Sequence, residues 1–240
     1  MFLNPALTAA LDRITERAAD VRRAFVPGAI AQHGDVAMAR DRFDFTLDPL
    51  SVAPPESAYF LTTDAHGRTA YTRDGSFSVR DGTLVDSSGC AVLARRAPGE
   101  PLGELKIDPI DASLGRTSNL RLLPDGTLVY SRAAVDPRSG KRQSGDVAVG
   151  RLALAHFPAG TKLDSTDGRS FYAPPGITPR VGVAGDKEFG SLTPMRRSRS
   201  RIDLDASLIR LKEAYVAFDA LAAAESAKDR FSKAAMDVVK

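Results

Sequence analysis

Ala70-Tyr71-Thr72-Arg73-Asp74-Gly75-Ser76-Phe77-Ser78-Val79-Arg80-Asp81-Gly82-Thr83-Leu84-Val85-Asp86-Ser87-Ser88-Gly89 reads as short extended segments, each closed by a turn signal. Asp74-Gly75 and Asp81-Gly82 are dipeptides suited to the left-handed backbone of tight hairpin turns, and the Ser87 to Gly89 cluster marks a third turn. Thr83-Leu84-Val85 between them is β-branched and apolar, as strands prefer. The pattern continues on both sides. Upstream are the Ala58-Tyr59-Phe60-Leu61 run and a turn at Asp64 to Gly67. Downstream are Pro124 to Gly126, the run Thr127-Leu128-Val129-Tyr130, and Asp167-Gly168. Strands this short with turns this close predict an antiparallel meander from Phe43 to about Val183. The longest extended run is Asp146 to Phe157. Its apolar residues fall on odd positions at Val147 and Val149, then on even positions at Leu152 and Leu154. Gly150 stands at the switch, where a bulge is expected to re-aim the side chains.

A helix is expected on each side of this body. In the first, Asn4 can cap and Pro5 suits the opening position, where its missing N–H would be unpaired anyway. Leu7, Leu11, Ile14, Ala18, Val21 and Phe25 follow in steps of 4, 3, 4, 3 and 4, a heptad seam. Charged residues from Asp12 to Arg23 fill the other face, and Pro27-Gly28 ends the helix. A second helix is expected from about Asp205 to Val239, capped by Asp203 or Asp205. Leu208, Leu211, Tyr215, Phe218 and Ala222 form its seam, and Phe231, Ala235 and Val238 continue a stripe after a phase slip. Its length of roughly 50 Å exceeds what a body of this size can cover, so part of it should meet another chain. The fold class expected is α+β, an antiparallel β-rich body flanked by two long helices that pair as a coiled coil. The divisions expected are residues 1–42 (helix and connection), 43–190 (β body) and 191–240 (linker and second helix).

Composition restricts the function classes. Of 240 residues, 43% are hydrophobic and 26% are charged, ordinary values for a globular protein. The formal net charge of +3 is too balanced to imply a nucleic-acid or membrane partner. Cys90 is the only cysteine, so no intramolecular disulfide can form. No apolar stretch is long enough to span a bilayer. Asp12, Arg13, Glu16 and Arg17 occupy the place where a signal peptide needs an apolar run. The chain is therefore expected to be cytoplasmic or exported without a cleaved signal.

Motifs that carry chemistry are scarce. His33, His66 and His156 lack metal-ligand spacing, and Cys90 reads as an inert small hydrophobe. Asp164, Asp167 and Gly168 lack the further oxygen ligands of a calcium loop. No Gly-rich phosphate loop and no nucleophile elbow occurs. The basic run Arg196-Arg197-Ser198-Arg199-Ser200-Arg201 has no interleaved aromatics to stack bases, so it reads as a solvated linker or an ion-pair donor between subunits. No catalytic residue, cofactor or metal is expected.

The segment Ala70 to Val79 resembles the signature hairpin of the flagellar hook and rod proteins, carried by Tyr71, Thr72, Arg73, Asp74, Gly75, Ser76 and Phe77. The Asp81-Gly82 turn, the Leu84-Val85 strand and the Ser88-Gly89 turn follow in the family's order. Phe43-Asp44-Phe45-Thr46-Leu47 resembles the family's entry strand. Leu123-Pro124-Asp125-Gly126-Thr127-Leu128 resembles its later hairpin, and Gly150 to Phe157 its Gly-x-Leu-x-Leu-x-x-Phe strand. Three places depart from the pattern. Pro27 to Gly34 stands where the family has an Asn-rich motif, Pro49 to Val52 replaces Gly-Phe-Phe, and only Glu213-Ala214-Tyr215 remains of the last-helix motif. The resemblance implies an axial, extracytoplasmic polymer subunit whose terminal helices stack into an inner tube while the β body lies outside. It implies copies of the chain, other axial proteins and the flagellar type III export apparatus as partners, with no nucleic acid and no membrane insertion. The length fits the basal-body rod proteins better than the hook subunit. The rival reading is a β-rich binding or adhesion module whose helices only cap it.

Overall fold

The computed structural model describes residues 4–30, 43–55, 57–107, 120–135, 142–165 and 167–238. His33, the remainder of the departing stretch beyond Ile30, and the expected helix end at Val239 lie outside the described residues, as do the side chains of Ala235 and Val238. The architecture is α+β: a helix, a body of short strands, and a second helix.

Helix α1 runs over Pro5–Arg23. The Asn4 side chain accepts from the Ala6 N–H at 3.0 Å, and Pro5 opens the helix. Arg22 and Arg23 in its last turn complement the negative end of the helix dipole. Helix α2 runs over Leu204–Val238. Of the two possible caps, Asp203 takes the role: its Oδ1 accepts from Asp205 N at 3.0 Å and Ala206 N at 3.1 Å.

The body strands are β1 (Phe43–Phe45), β2 (Val52–Ala53), β3 (Ala58–Thr63), β4 (Thr69–Thr72), β5 (Ser78–Arg80), β6 (Thr83–Val85) and β7 (Ala91–Arg95). They continue with β8 (Gly103–Glu104), β9 (Arg121–Leu122), β10 (Thr127–Val135), β11 (Arg142–His156), β12 (Arg180–Val183), β13 (Thr193–Pro194) and β14 (Arg196–Ser198). The main sheet has the order β5-β6-β7-β3-β11-β10-β9, with β12 on β11, β4 on β3 and β8 on β7. The paired strands among the described residues are antiparallel. The order corrects the simple meander expected from turn spacing. Strand β3 lies between β7 and β11, because β11 is long enough to serve several neighbours. Its first part pairs with β10, and its last residues pair with β3 and β12 on opposite edges.

The bulge lies beside Gly150. Leu128 pairs with Gly150 but Val129 pairs with Ala148, so Val149 is the extra residue. The bulge changes the parity, and Val147 and Val149 pack on the same core as Leu152 and Leu154 beyond Gly150. That core also holds Phe60, Phe77, Leu84, Val92, Leu105 and Leu128 on one face of the sheet. A second core of Leu61, Tyr71, Ala153, Ala155, Leu163 and Phe171 fills the other face, beneath the segment between β11 and β12. Strand β11 thus feeds both cores, through alternate side chains.

Leu152 is completely buried in the first core at the crossing of β11 and β7. Leu152→Ala should lower the stability of the body by about 2–5 kcal/mol, read by urea unfolding, whereas Leu47→Ala, at an exposed site, should stay within about 0.5 kcal/mol.

Candidate functional site

The helices carry most of the exposed large apolar side chains among the described residues. They lie side by side, and Asn4 Nδ2 at the start of α1 donates to Glu225 Oε2 at 3.0 Å. The other end of α1 meets the chain just before α2, so the two run antiparallel. Along α1, Ala10 and Ile14 are buried, and Leu7, Arg17, Ala18, Val21 and Ala24 are half-buried. Leu11 and Phe25, both expected on the seam, are 48% and 73% exposed. Along α2, Ser207 is buried, and Leu211, Ala214, Phe218, Ala222 and Glu225 are half-buried. Leu208 and Tyr215, also expected on the seam, are exposed.

Both helices are rotated in the same sense relative to the expectation. Each keeps part of the seam, Leu7, Ile14 and Val21 in one and Leu211, Phe218 and Ala222 in the other. Each turns a small residue inward where a large one was expected: Ala10 for Leu11, Ser207 for Leu208, Ala214 for Tyr215. Small side chains at a helix contact let the backbones approach closely. The large side chains are left outside. Leu208, Ile209, Tyr215 and Val216 form an exposed stripe along one face of α2. Beyond Glu225 every described side chain of α2 is exposed, Phe231 at 79%.

The rotation of α1 is held at its root. Asp20 is buried between Arg17, at 3.8 Å, and Arg23, at 3.6 Å. The aliphatic part of Arg23 lies against Gly168 of the body, where an added Cβ would come within 2.7 Å of it. Ala29 and Ile202 are buried together, with Ala24 and Val26 packed on them. Arg201 N donates to Ala29 O at 2.8 Å, and Gly28 N to Ser198 O at 3.1 Å. The chain leaving α1 and the chain entering α2 are thus tied to one another.

Both are seated on the segment from Tyr71 to Phe77. Gly28, at φ +69°, sits where a Cβ would lie 2.6 Å from the Arg73 carbonyl carbon. Gly75 is tighter, since a Cβ there would lie 1.8 Å from Val52 O. The rest of the motif is interior. Tyr71 exchanges both backbone hydrogen bonds with Phe171, and its ring stands edge-on to Phe157 at 4.8 Å. Thr72 Oγ1 accepts from Asp74 N at 3.1 Å. Arg73 is buried, donates from Nη1 to Ala58 O at 2.8 Å and Pro55 O at 3.3 Å, and lies over the Tyr59 ring. Asp74 accepts from Ser76 N at 3.1 Å and from the Ser87 hydroxyl at 2.7 Å. Ser76 bridges to Ser51, and Phe77 stands edge-on to Phe60 at 5.0 Å. The structure corrects the hairpin expected at Asp74-Gly75: β4 pairs with β3 and β5 with β6, not with each other, and Gly75 lacks the left-handed backbone of such a turn. The segment is a buried corner that carries the helix roots, with little surface to offer a ligand.

A second buried carboxylate lies near it. Burial pushes the Asp86 carboxyl up, against the pull of backbone N–H groups from Cys90, Ser88 and Gly89, and the Asp74 charge adds to the rise. Burial and the charge of Asp86 push the Cys90 thiol up to about 11, so it is held protonated at neutral pH. Burial lowers His156, and Arg180 adds to this. Asp64, in an exposed turn, is held down to about 2, chiefly by the backbone N–H of Arg68. Among the described residues no group of three or more His, Cys, Asp or Glu is placed to hold a metal ion. No helix of the described residues is long and apolar enough to cross a membrane.

Gly75→Ala should abolish stable folding of the body, because backbone rather than a flexible side chain blocks the added methyl. Arg73→Met should cost about 1.5–3 kcal/mol for each carbonyl bond that the cation gives up, read by denaturant unfolding. The Asp86 folded-state pKa lies above its unfolded value, so the folded state holds the proton more tightly. The stability this contributes is present below the unfolded value and lost as pH rises through the raised one. Asp86→Asn removes that loss, and its melting temperature relative to the parent should rise as pH climbs above the ordinary carboxylate value of about 4.

No curated protein matches the chain. Residues 57–130 match the family model of the flagellar hook protein FlgE/F/G D1 domain. That stretch begins at β3, contains the buried corner and reaches into β10, the paired neighbour of β11. Residues 57–130 of the β body are thus similar to the D1 domain of the flagellar hook protein family, which supports a flagellar hook or rod-type structural protein.

Proposed function

We propose that the chain is a subunit of the flagellar basal-body rod and that it self-assembles through its terminal helices into an axial tube. The observation that carries this reading is the exposed stripe Leu208, Ile209, Tyr215 and Val216, on a helix whose opposite face is already occupied by α1. Burying each such side chain is worth roughly 1.5–3 kcal/mol, so a few of them suffice to drive association. The surplus of α2 past Glu225, with Phe231 in the open, supports contact with another copy or a related axial protein. The helix pair then acts as a coiled coil in the assembled state, residues 1–42 and 191–240 form one assembly unit, and residues 43–190 form the outer body. Passage through the flagellar type III export apparatus without signal cleavage, and a place in the extracytoplasmic basal body, belong to the same reading. The rival reading, a binding module capped by its helices, needs the large apolar side chains of α2 turned toward the body, and the exposed stripe speaks against it.

Ile209→Asp with Val216→Asp should leave the urea midpoint of the body unchanged and abolish tubular assembly, seen by electron microscopy of concentrated protein. Assembly that survives both charges would overturn the proposal. Limited proteolysis of dilute protein should remove α2 beyond Glu225 first, then both helices, and leave a core of about residues 43–190. An uncut chain would favour the capped module.

A further inference from the structure

On the face of the sheet opposite the first core, two arginines stand directly across from each other. Arg95 at the end of β7 and Arg151 in β11 are register partners, and both are half-buried. Like charges at opposed positions of a ladder repel, and partial burial weakens the water screening that would relieve them. The neighbouring register pair, Ala94 and Leu152, is buried in the first core, so the two guanidinium groups share the other face.

These arginines line a cleft of about 230 Å³. Arg96 and the Ala97-Pro98-Gly99 turn close one side, and Val183 and Asp186 close the other. Arg151 is held in place. Its Nη2 donates to Ala184 O and to Asp186 Oδ1, the latter at 3.3 Å. Arg96 Nη2 donates to Lys106 O at 2.7 Å. The Arg95 Nε is buried and has no hydrogen-bond partner among the described residues. Two opposed arginines thus share one carboxylate, and one buried donor has no partner among the described residues. Asp186, paired with Arg151, cannot neutralise both, and a buried donor left unpaired costs free energy that a ligand can recover.

We infer that this cleft is a binding site for a small tetrahedral oxyanion, of the phosphate or sulfate class. Planar guanidinium forks match the edges of such an anion and place its charge between the opposed arginines. The volume admits an ion of this size with water around it. The site lies on the β body, away from the helix stripe, and it stands or falls independently of the assembly reading.

The test uses the full chain in inorganic phosphate against chloride at matched ionic strength, by thermal unfolding and titration calorimetry. The expected result is a saturable heat and a melting temperature that rises with the logarithm of phosphate concentration. Arg95→Gln should weaken phosphate at least tenfold and, in chloride, be no less stable than the parent, because the opposed charge is gone. Arg197→Gln, which removes the same charge from an exposed strand elsewhere, should bind phosphate as the parent does. Phosphate that stabilises no more than chloride, or an Arg95→Gln chain that binds it unchanged, would overturn the inference. Self-association that phosphate reverses would overturn it too, since the arginines would then serve a carboxylate of a second copy.

Discussion

Everything in this molecule is hung from one close approach of backbone to backbone. At Gly75 the corner passes so near the Val52 carbonyl that no side chain larger than hydrogen fits, and at Gly28 the chain leaving α1 comes close, though less so, to Arg73. Neither contact stores much energy itself. Their effect is geometric, because they leave the helix root one position on the body. Arg73 secures the corner from inside. A buried guanidinium must spend its donors, and it spends two bonds on the carbonyls of Pro55 and Ala58, which ties the corner to the entry of β3.

From that corner the orientation of the helices follows. The Asp20 carboxylate, between Arg17 and Arg23, is buried where α1 meets the body, and Ala29 packs on Ile202 where the two helix roots cross. A helix held at its base has no freedom to choose which side it shows its partner. The face so selected brings Ala10, Ala214 and Ser207 inward, permits a close antiparallel contact, and leaves Leu208, Ile209, Tyr215 and Val216 to the outside. Apolar surface that a single chain fails to cover is the free energy available to an assembly. The anchorage and the exposed stripe are two consequences of one constraint.

The sheet shows a related economy. Strand β11 is shared among β10, β7, β3 and β12, and a single extra residue at Val149 keeps its apolar side chains on the first core before and after the bulge. The same crossing of β7 and β11 that buries Ala94 and Leu152 obliges Arg95 and Arg151 to meet on the other face. Packing on one side of a sheet sets the neighbours on the other, whether or not their charges agree.

Local chemistry was legible in the amino-acid order. Asn4 and Pro5 announce α1, Asp203 is among the caps open to α2, Asp81-Gly82 divides β5 from β6, and the parity switch around Gly150 locates the bulge. Each depends on neighbours a few residues apart. The face each helix turns inward was not legible, because steps of 3 and 4 starting at Leu7 lead equally well through Ala10 or through Leu11. The burial of Arg73 and the meeting of Arg95 with Arg151 were equally hidden, since a charged residue near a turn ordinarily points to water. The sequence by itself determined the order of helix, β body and helix, but not every element: the run Arg196 to Arg201 reads as a solvated linker, yet Arg196–Ser198 is β14, paired with β1, because its partner strand lies far away in the chain. The tertiary structure alone decided the helix rotation, the strand order and the arginine cleft, because contacts between residues far apart in the chain set all three, and local periodicity carries no record of them.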